Sequence, residues 1–236
     1  MFRRTLFSVS LTLFAAAPLA AQSKPETKAE KKADKMDHMD MDKKIKGGPL
    51  PAGWMGRTDD KTAKIDEAKF VTMGKGYHVT SGPAAIYWNA KDKVSGPFTA
   101  TATLSQTKAG EHPEAYGIFF AGKNLEAANQ TYFYFIVRGN GQFMVNHRAG
   151  SDDHAVHKII GWTDNAAIKK ADAKGAATNT LTVDASKADS VRLKVNGTQV
   201  AALSAKDVSG NGDIVGLRVN HNLDVHIGEF TVTPKK

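Results

Sequence analysis

The sequence predicts an all-β fold, a two-sheet antiparallel jelly-roll sandwich. Three observations predict it. From residue 70 onward, short runs rich in Val, Ile, Thr, Tyr and Phe recur at roughly ten-residue intervals, separated by Gly, Asn, Asp and Pro. Asn140-Gly141 and Asn196-Gly197 stand between such runs, where a two-residue hairpin turn favours residues that tolerate positive φ. Apolar residues spaced for a long helix are missing, and only residues 126–129 and 166–173 suggest short helical pieces.

The N-terminal residues lie outside that pattern. Met1-Phe2-Arg3-Arg4 is positively charged, residues 6–17 are mostly apolar, and Pro18-Leu19-Ala20-Ala21 supplies small residues behind a helix breaker. This is the pattern of a cleavable signal peptide over residues 1–21, with the cut after Ala21 or Ala20. The apolar run is shorter than the ~20 residues a bilayer span needs, so the mature chain is expected not to span a membrane. The expected location is the periplasm or the extracellular medium. The chain contains no Cys, which excludes disulfides, thiolate metal sites and thiol catalysis.

Residues 22–48 form a charged linker with eight Lys and six Asp or Glu, and almost nothing able to build a core, so disorder is expected. Within it, Met36, His38, Met39 and Met41 group the thioether and imidazole ligands that Cu(I) selects. Gly47-Gly48-Pro49 reads as a hinge, and the sandwich is expected over residues 49–236. Trp54 precedes the main strand pattern and is expected to plug into the domain. From Pro49 onward there are 22 basic and 18 acidic residues, a mixed surface and not the basic stripe of a nucleic-acid binder. The protein is expected to be a monomer.

Residues 132–137 are apolar on both faces, which predicts a central strand. Strand alternation puts Tyr132 and Tyr134 on one side with Arg138, and Phe133 and Phe135 on the other. The Phe side reads as core and the Tyr side as a groove or solvent face.

The stretches Val79-Thr80-Ser81-Gly82-Pro83-Ala84-Ala85-Ile86, Glu114-Ala115-Tyr116-Gly117-Ile118-Phe119-Phe120 and Tyr132-Phe133-Tyr134-Phe135-Ile136-Val137-Arg138-Gly139-Asn140-Gly141 carry a resemblance. Trp162, Val191-Arg192-Leu193-Lys194-Val195-Asn196-Gly197 and Gly216-Leu217-Arg218-Val219 continue it. In that order they resemble the concanavalin A-like lectin/glucanase jelly roll. More narrowly, they resemble the laminin-G-like and 3-keto-disaccharide hydrolase-like (DUF1080) domains of secreted bacterial proteins. The resemblance spans about residues 65–233 and implies a sandwich with carbohydrate as the ligand class. The Glu-x-Asp-x-Glu strand of the retaining glucanases does not occur in this chain.

Candidate site residues follow from placement and chemistry. Tyr116, Tyr132, Tyr134 and Trp162 offer rings for sugar stacking, while Arg138, His147 and Arg148 offer polar contacts. Glu114, at the entry to a strand, is the candidate catalytic carboxylate, with Asp152 as its partner. His147, Arg148, Asp152, Asp153, His154 and His157 cluster in eleven residues, and two His with two Asp among them could bind a hard or borderline divalent ion such as calcium. His221, between Asn220 and Asn222, is a second polar group. The reading is an exported, non-catalytic module binding carbohydrate or a cell-envelope component, with no required cofactor. Two alternatives stand beside it. One is a glycoside-type hydrolase using Glu114 with a loop Asp or His. The other is a copper handler acting through the Met/His linker.

Overall fold

The computed structural model describes residues 41–152, 154–208 and 213–235. They form two antiparallel seven-stranded sheets packed face to face. In chain order the strands are β1 (Trp54–Thr58), β2 (Lys69–Met73), β3 (Gly76–Thr80), β4 (Ala85–Lys93), β5 (Phe98–Gln106), β6 (Ala115–Lys123) and β7 (Thr131–Arg138). They continue as β8 (Gln142–Ala149), β9 (Val156–Asp164), β10 (Ala177–Asp184), β11 (Ser190–Val195), β12 (Thr198–Ser204), β13 (Ile214–Val219) and β14 (Asp224–Pro234). The first sheet runs β1-β4-β13-β6-β7-β8-β9 and the second β12-β11-β10-β5-β14-β3-β2. This is the predicted jelly-roll sandwich. Among the described residues the one helical piece is a single 3-10 turn at Ile65–Glu67, and no helix is long and apolar enough to cross a membrane.

Period-two alternation builds the core. In β5, Phe98, Ala100, Ala102 and Leu104 are buried while Thr99, Thr101 and Thr103 lie between them on the outer side. Leu181 and Val183 of β10, and Phe133, Phe135 and Val137 of β7, meet them from neighbouring strands and the facing sheet. Strand β7 is central, flanked by β6 and β8, as its two-sided apolar character requires. Trp54 does plug the domain. It sits in β1, faces the core, and packs edge-on against Phe70 and Tyr77 with centroids 5.0 Å away in each case.

Both expected hairpins form, with different turns. Asn196 (φ 51°) and Gly197 (φ 85°) make the positive-φ pair of a type I′ turn between β11 and β12. The β7–β8 hairpin pairs Arg138 with Gln142, leaving three residues in the loop. Only Gly141 has positive φ there, and its N–H donates to the Arg138 carbonyl at 3.0 Å. That is a type I turn closed by a glycine bulge rather than an Asn-Gly type I′ turn.

The two suggested helical pieces are loops. Residues 166–173 are held open by Asn179, whose amide accepts from the Lys169 N–H at 2.8 Å and donates to the Lys169 carbonyl at 3.1 Å. A side chain that takes over the backbone's hydrogen bonds removes the reason to coil. Residues 126–129 close through two turn bonds, Ala127 N–H to Asn124 and Gln130 N–H to Ala127.

Residues 41–48, the end of the charged linker, lie along the domain as a strap. The Asn222 amide accepts from the Lys43 N–H at 2.7 Å and donates to the Met41 carbonyl at 3.2 Å, while Gly47 N–H donates to the Asp66 carbonyl at 2.8 Å. Gly82 allows the approach, since a Cβ there would lie 2.3 Å from the Lys43 carbonyl oxygen.

Candidate functional site: the outer face of the first sheet

The side of the first sheet that faces away from its partner carries its own cluster. Ile86 and Trp88 from β4, Phe119 from β6, and Tyr132, Tyr134 and Ile136 from β7 form an apolar group separate from the inter-sheet core. Met55, Met144, Trp162 and Ile214 pack around it and remain partly exposed. Among the described residues no further strand or helix covers this face. Its rings are buried against one another and against Leu125 from the loop after β6, with Phe119 5.4 Å and Tyr134 5.9 Å from Tyr132.

Charged groups sit at one end of this face. Asp59, just beyond β1, accepts from both Arg218 terminal nitrogens, at 3.1 and 2.6 Å. The Arg218 guanidinium lies 4.4 Å above the Tyr134 ring, and the Tyr134 hydroxyl accepts from the Asn146 amide at 2.9 Å. Tyr132 directs its hydroxyl at Asp59 from 3.5 Å. Arg148 approaches Asp59 only to 3.9 Å. Burial alone would raise the Asp59 carboxyl, but Arg218, and behind it Arg148, hold it below its ordinary value. Burial raises the Tyr132 phenol, which stays protonated. Three buried polar atoms here have no partner: Arg148 Nε, Arg218 Nε and Asn146 Oδ1.

Register explains which expected residues meet. Tyr132 pairs with Arg148, Tyr134 with Asn146 and Arg138 with Gln142, so all six share the outer face. Trp162 joins them from β9, with the Arg138 guanidinium 3.9 Å above its ring. Tyr116 and His147, also expected as ligand contacts, are on the other side. Tyr116 pairs with Val137 and is fully buried in the inter-sheet core. His147 pairs with Phe133, stacks on its ring at 4.2 Å, and is bonded to the Thr131 hydroxyl. Burial, with His157 nearby, lowers its pKa. Neighbours in a strand point to opposite faces, so His147 and Arg148 cannot serve one groove.

Asp59, Arg218 and Asn146 were missed by sequence reasoning. Arg218 had a readable signal, as the one charged residue in the apolar strand Ile-Val-Gly-Leu-Arg-Val. Asp59 had none, being one of several acids in a polar turn.

The expected Glu114–Asp152 pair does not form. Glu114 precedes β6, at the end of the sheet where β7 finishes at Arg138 and β8 begins at Gln142. Asp152 follows Ala149 at the far end of β8, where its carboxylate accepts from the His154 N–H at 3.0 Å. The seven residue steps of β8, at about 3.3 Å each, separate the two ends by about 23 Å. Glu114 instead holds His221 at 2.7 Å and accepts from the Asn220 amide at 3.2 Å. The other His221 nitrogen meets Asp42 of the strap at 3.2 Å. Hydrogen bonding to Glu114, against the opposing effect of burial and helped by Asp42, lifts His221 to about 9.

Among the described residues no three His, Asp or Glu side chains converge as metal ligands. Met36, His38 and Met39 of the expected copper cluster lie outside the described residues, and Met41 is exposed. Two open surface depressions of about 570 and 250 Å³ lie beside the strap and beside the β7–β8 hairpin, away from the Asp59–Arg218 cluster.

No protein-family model and no curated protein matches this chain. Solved structures do. A mixed-linkage glucan glycoside hydrolase of family 16 from Bacteroides ovatus aligns at 8% identity and TM-score 0.51, covering 80% of this chain and 98% of its own. A family 16 endo-glucanase from the same organism aligns at 9% identity and TM-score 0.51, with the same coverage. Sheep galectin-11 aligns at 8% identity and TM-score 0.43, over 68% of this chain and 99% of its own. The fold is the concanavalin A-like jelly-roll sandwich. The narrower resemblance to the DUF1080 domains finds no support in these comparisons.

Proposed function

We propose that this protein is an exported, non-catalytic carbohydrate-binding module that takes its ligand on the outer face of the first sheet. The observation that carries the reading is the second apolar cluster. Trp88, Phe119, Tyr132 and Tyr134 form a buried base on the side away from the inter-sheet core, and it seats a partly exposed rim of Met55, Met144 and Trp162 that a ligand can reach. Aromatic walls with a few converging polar groups are what small-molecule and sugar sites are made of. Trp162 and Arg138 at the rim stay partly exposed and accessible. The fold, shared with two glucan-acting family 16 enzymes, fits a carbohydrate ligand.

Hydrolysis is disfavoured by the carboxylates. Glycosidases use two across the scissile bond, one with a raised pKa. On the outer face, Asp59 is locked to Arg218 and held low, while Glu114 bonds a histidine at the end of the sheet opposite Asp152. The test is a glycan array probed with the full chain, followed by mass analysis of any bound glycan. Binding with the glycan recovered intact, weakened about tenfold by Trp162→Ala, is the expected result. Cleaved product would restore the hydrolase reading. Binding indifferent to Trp162→Ala and Arg138→Ala would move the site off this face.

A further inference from the structure

We propose, resting on that reading, that the ligand is an acidic saccharide whose carboxylate is received by Arg148. Arg148 is 5% exposed, and its Nε is buried with no partner. Its nearest counter-charge is Asp59 at 3.9 Å, a carboxylate already gripped through both oxygens by Arg218. A guanidinium removed from water costs several kcal/mol unless it is paired and hydrogen-bonded. A fold that leaves one short of partners therefore holds it for something that arrives. The arriving group is an anion by charge count. Arg148 and Arg218, two guanidiniums, share the single carboxylate of Asp59.

The neighbours suit a sugar acid better than a bare anion. Asn146 lies two residues from Arg148 on the same face of β8 and has a free amide oxygen, which can accept from a sugar hydroxyl. Arg218 also keeps a buried Nε without a partner. The Asp59 side chain, 27% exposed, is where the cluster opens to solvent. Guanidinium to carboxylate is a planar, two-point contact, so charge alone from a lysine would not replace it.

The experiment compares uronate- and sialate-bearing oligosaccharides with the same oligosaccharides after carboxyl reduction, which keeps the rings and removes the charge. Titration calorimetry with the full chain is expected to show the acidic forms binding about 30-fold or more tightly than the reduced ones. Raising the salt should weaken the acidic forms alone. Arg148→Met is expected to erase the difference and Arg148→Lys to restore only part of it. Because the acid-versus-reduced comparison is made on the unmutated protein, an unstable variant does not spoil the result. Equal affinity for acidic and reduced forms would overturn the inference and leave the carbohydrate reading intact. No binding to either form, or to neutral glycans, would end both.

Discussion

Replacing His221 by Gln is expected to remove a pH-dependent part of the stability that ties strap to sandwich. The imidazole sits between Glu114, 8% exposed at its side chain, and Asp42, 41% exposed. Its pKa of about 9 exceeds the ordinary 6.5. That difference corresponds to about 3 kcal/mol, and solvent screening at Asp42 brings it nearer 2. The folded-state value is raised, so the stabilisation is complete below about pH 6.5 and disappears as the pH rises through about 9. Urea unfolding of both proteins at pH 6 and pH 9.5 measures it. The gap between wild type and His221→Gln should be about 2–3 kcal/mol larger at pH 6 than at pH 9.5. An NMR titration should place the imidazole midpoint well above 7. Parallel stability curves, or a midpoint near 6.5, would refute the reasoning, because they would mean that Glu114 and Asp42 do not act on the imidazole.

Three further outcomes are expected. Arg218→Met leaves Asp59 with Arg148, at 3.9 Å, as its nearest counter-charge and should cost about 2–4 kcal/mol in denaturant unfolding. Because Asp59 is held low by that partner, the variant should also lose stability less steeply than wild type below pH 4. Gly82→Ala drives a methyl into the Lys43 carbonyl, so limited trypsin digestion at residues 43–46 should accelerate, and an unchanged digestion pattern would mean the strap is not seated there. Trp54→Ala empties a site walled by Phe70, Tyr77 and Phe230 and should cost about 3–5 kcal/mol by thermal or urea unfolding.

Much of the fold was legible in local chemistry. The β runs, the central place of residues 132–137 and the Asn196-Gly197 turn all follow from side-chain shape, period-two alternation and positive φ, which are properties of neighbouring residues. The split of Tyr132 and Tyr134 from Phe133 and Phe135 was readable for the same reason. The β7–β8 turn was harder to read, because its type depends on the pairing of Arg138 with Gln142 across the hairpin.

The site required the tertiary structure. Alternation says that Arg148 and His147 point to opposite faces, but only the register of β8 against β7 says which face is the core. Likewise, Tyr116 became core because β6 pairs it with Val137. Asp59 and Arg218 are far apart in sequence, and nothing local announces that β1 and β13 flank the same strand, β4. Glu114 drew attention from sequence alone as a carboxylate at a strand entrance. Its partner proved to be His221, delivered by the β13–β14 turn, and not Asp152, which alternating strands carry to the other end of the sheet. The sequence by itself therefore determined the class of fold and the two-faced character of its strands, since both arise from local preferences. Which charges meet, and hence what the outer face can bind, was decided by strand order and register, which are set by packing the whole sandwich at once.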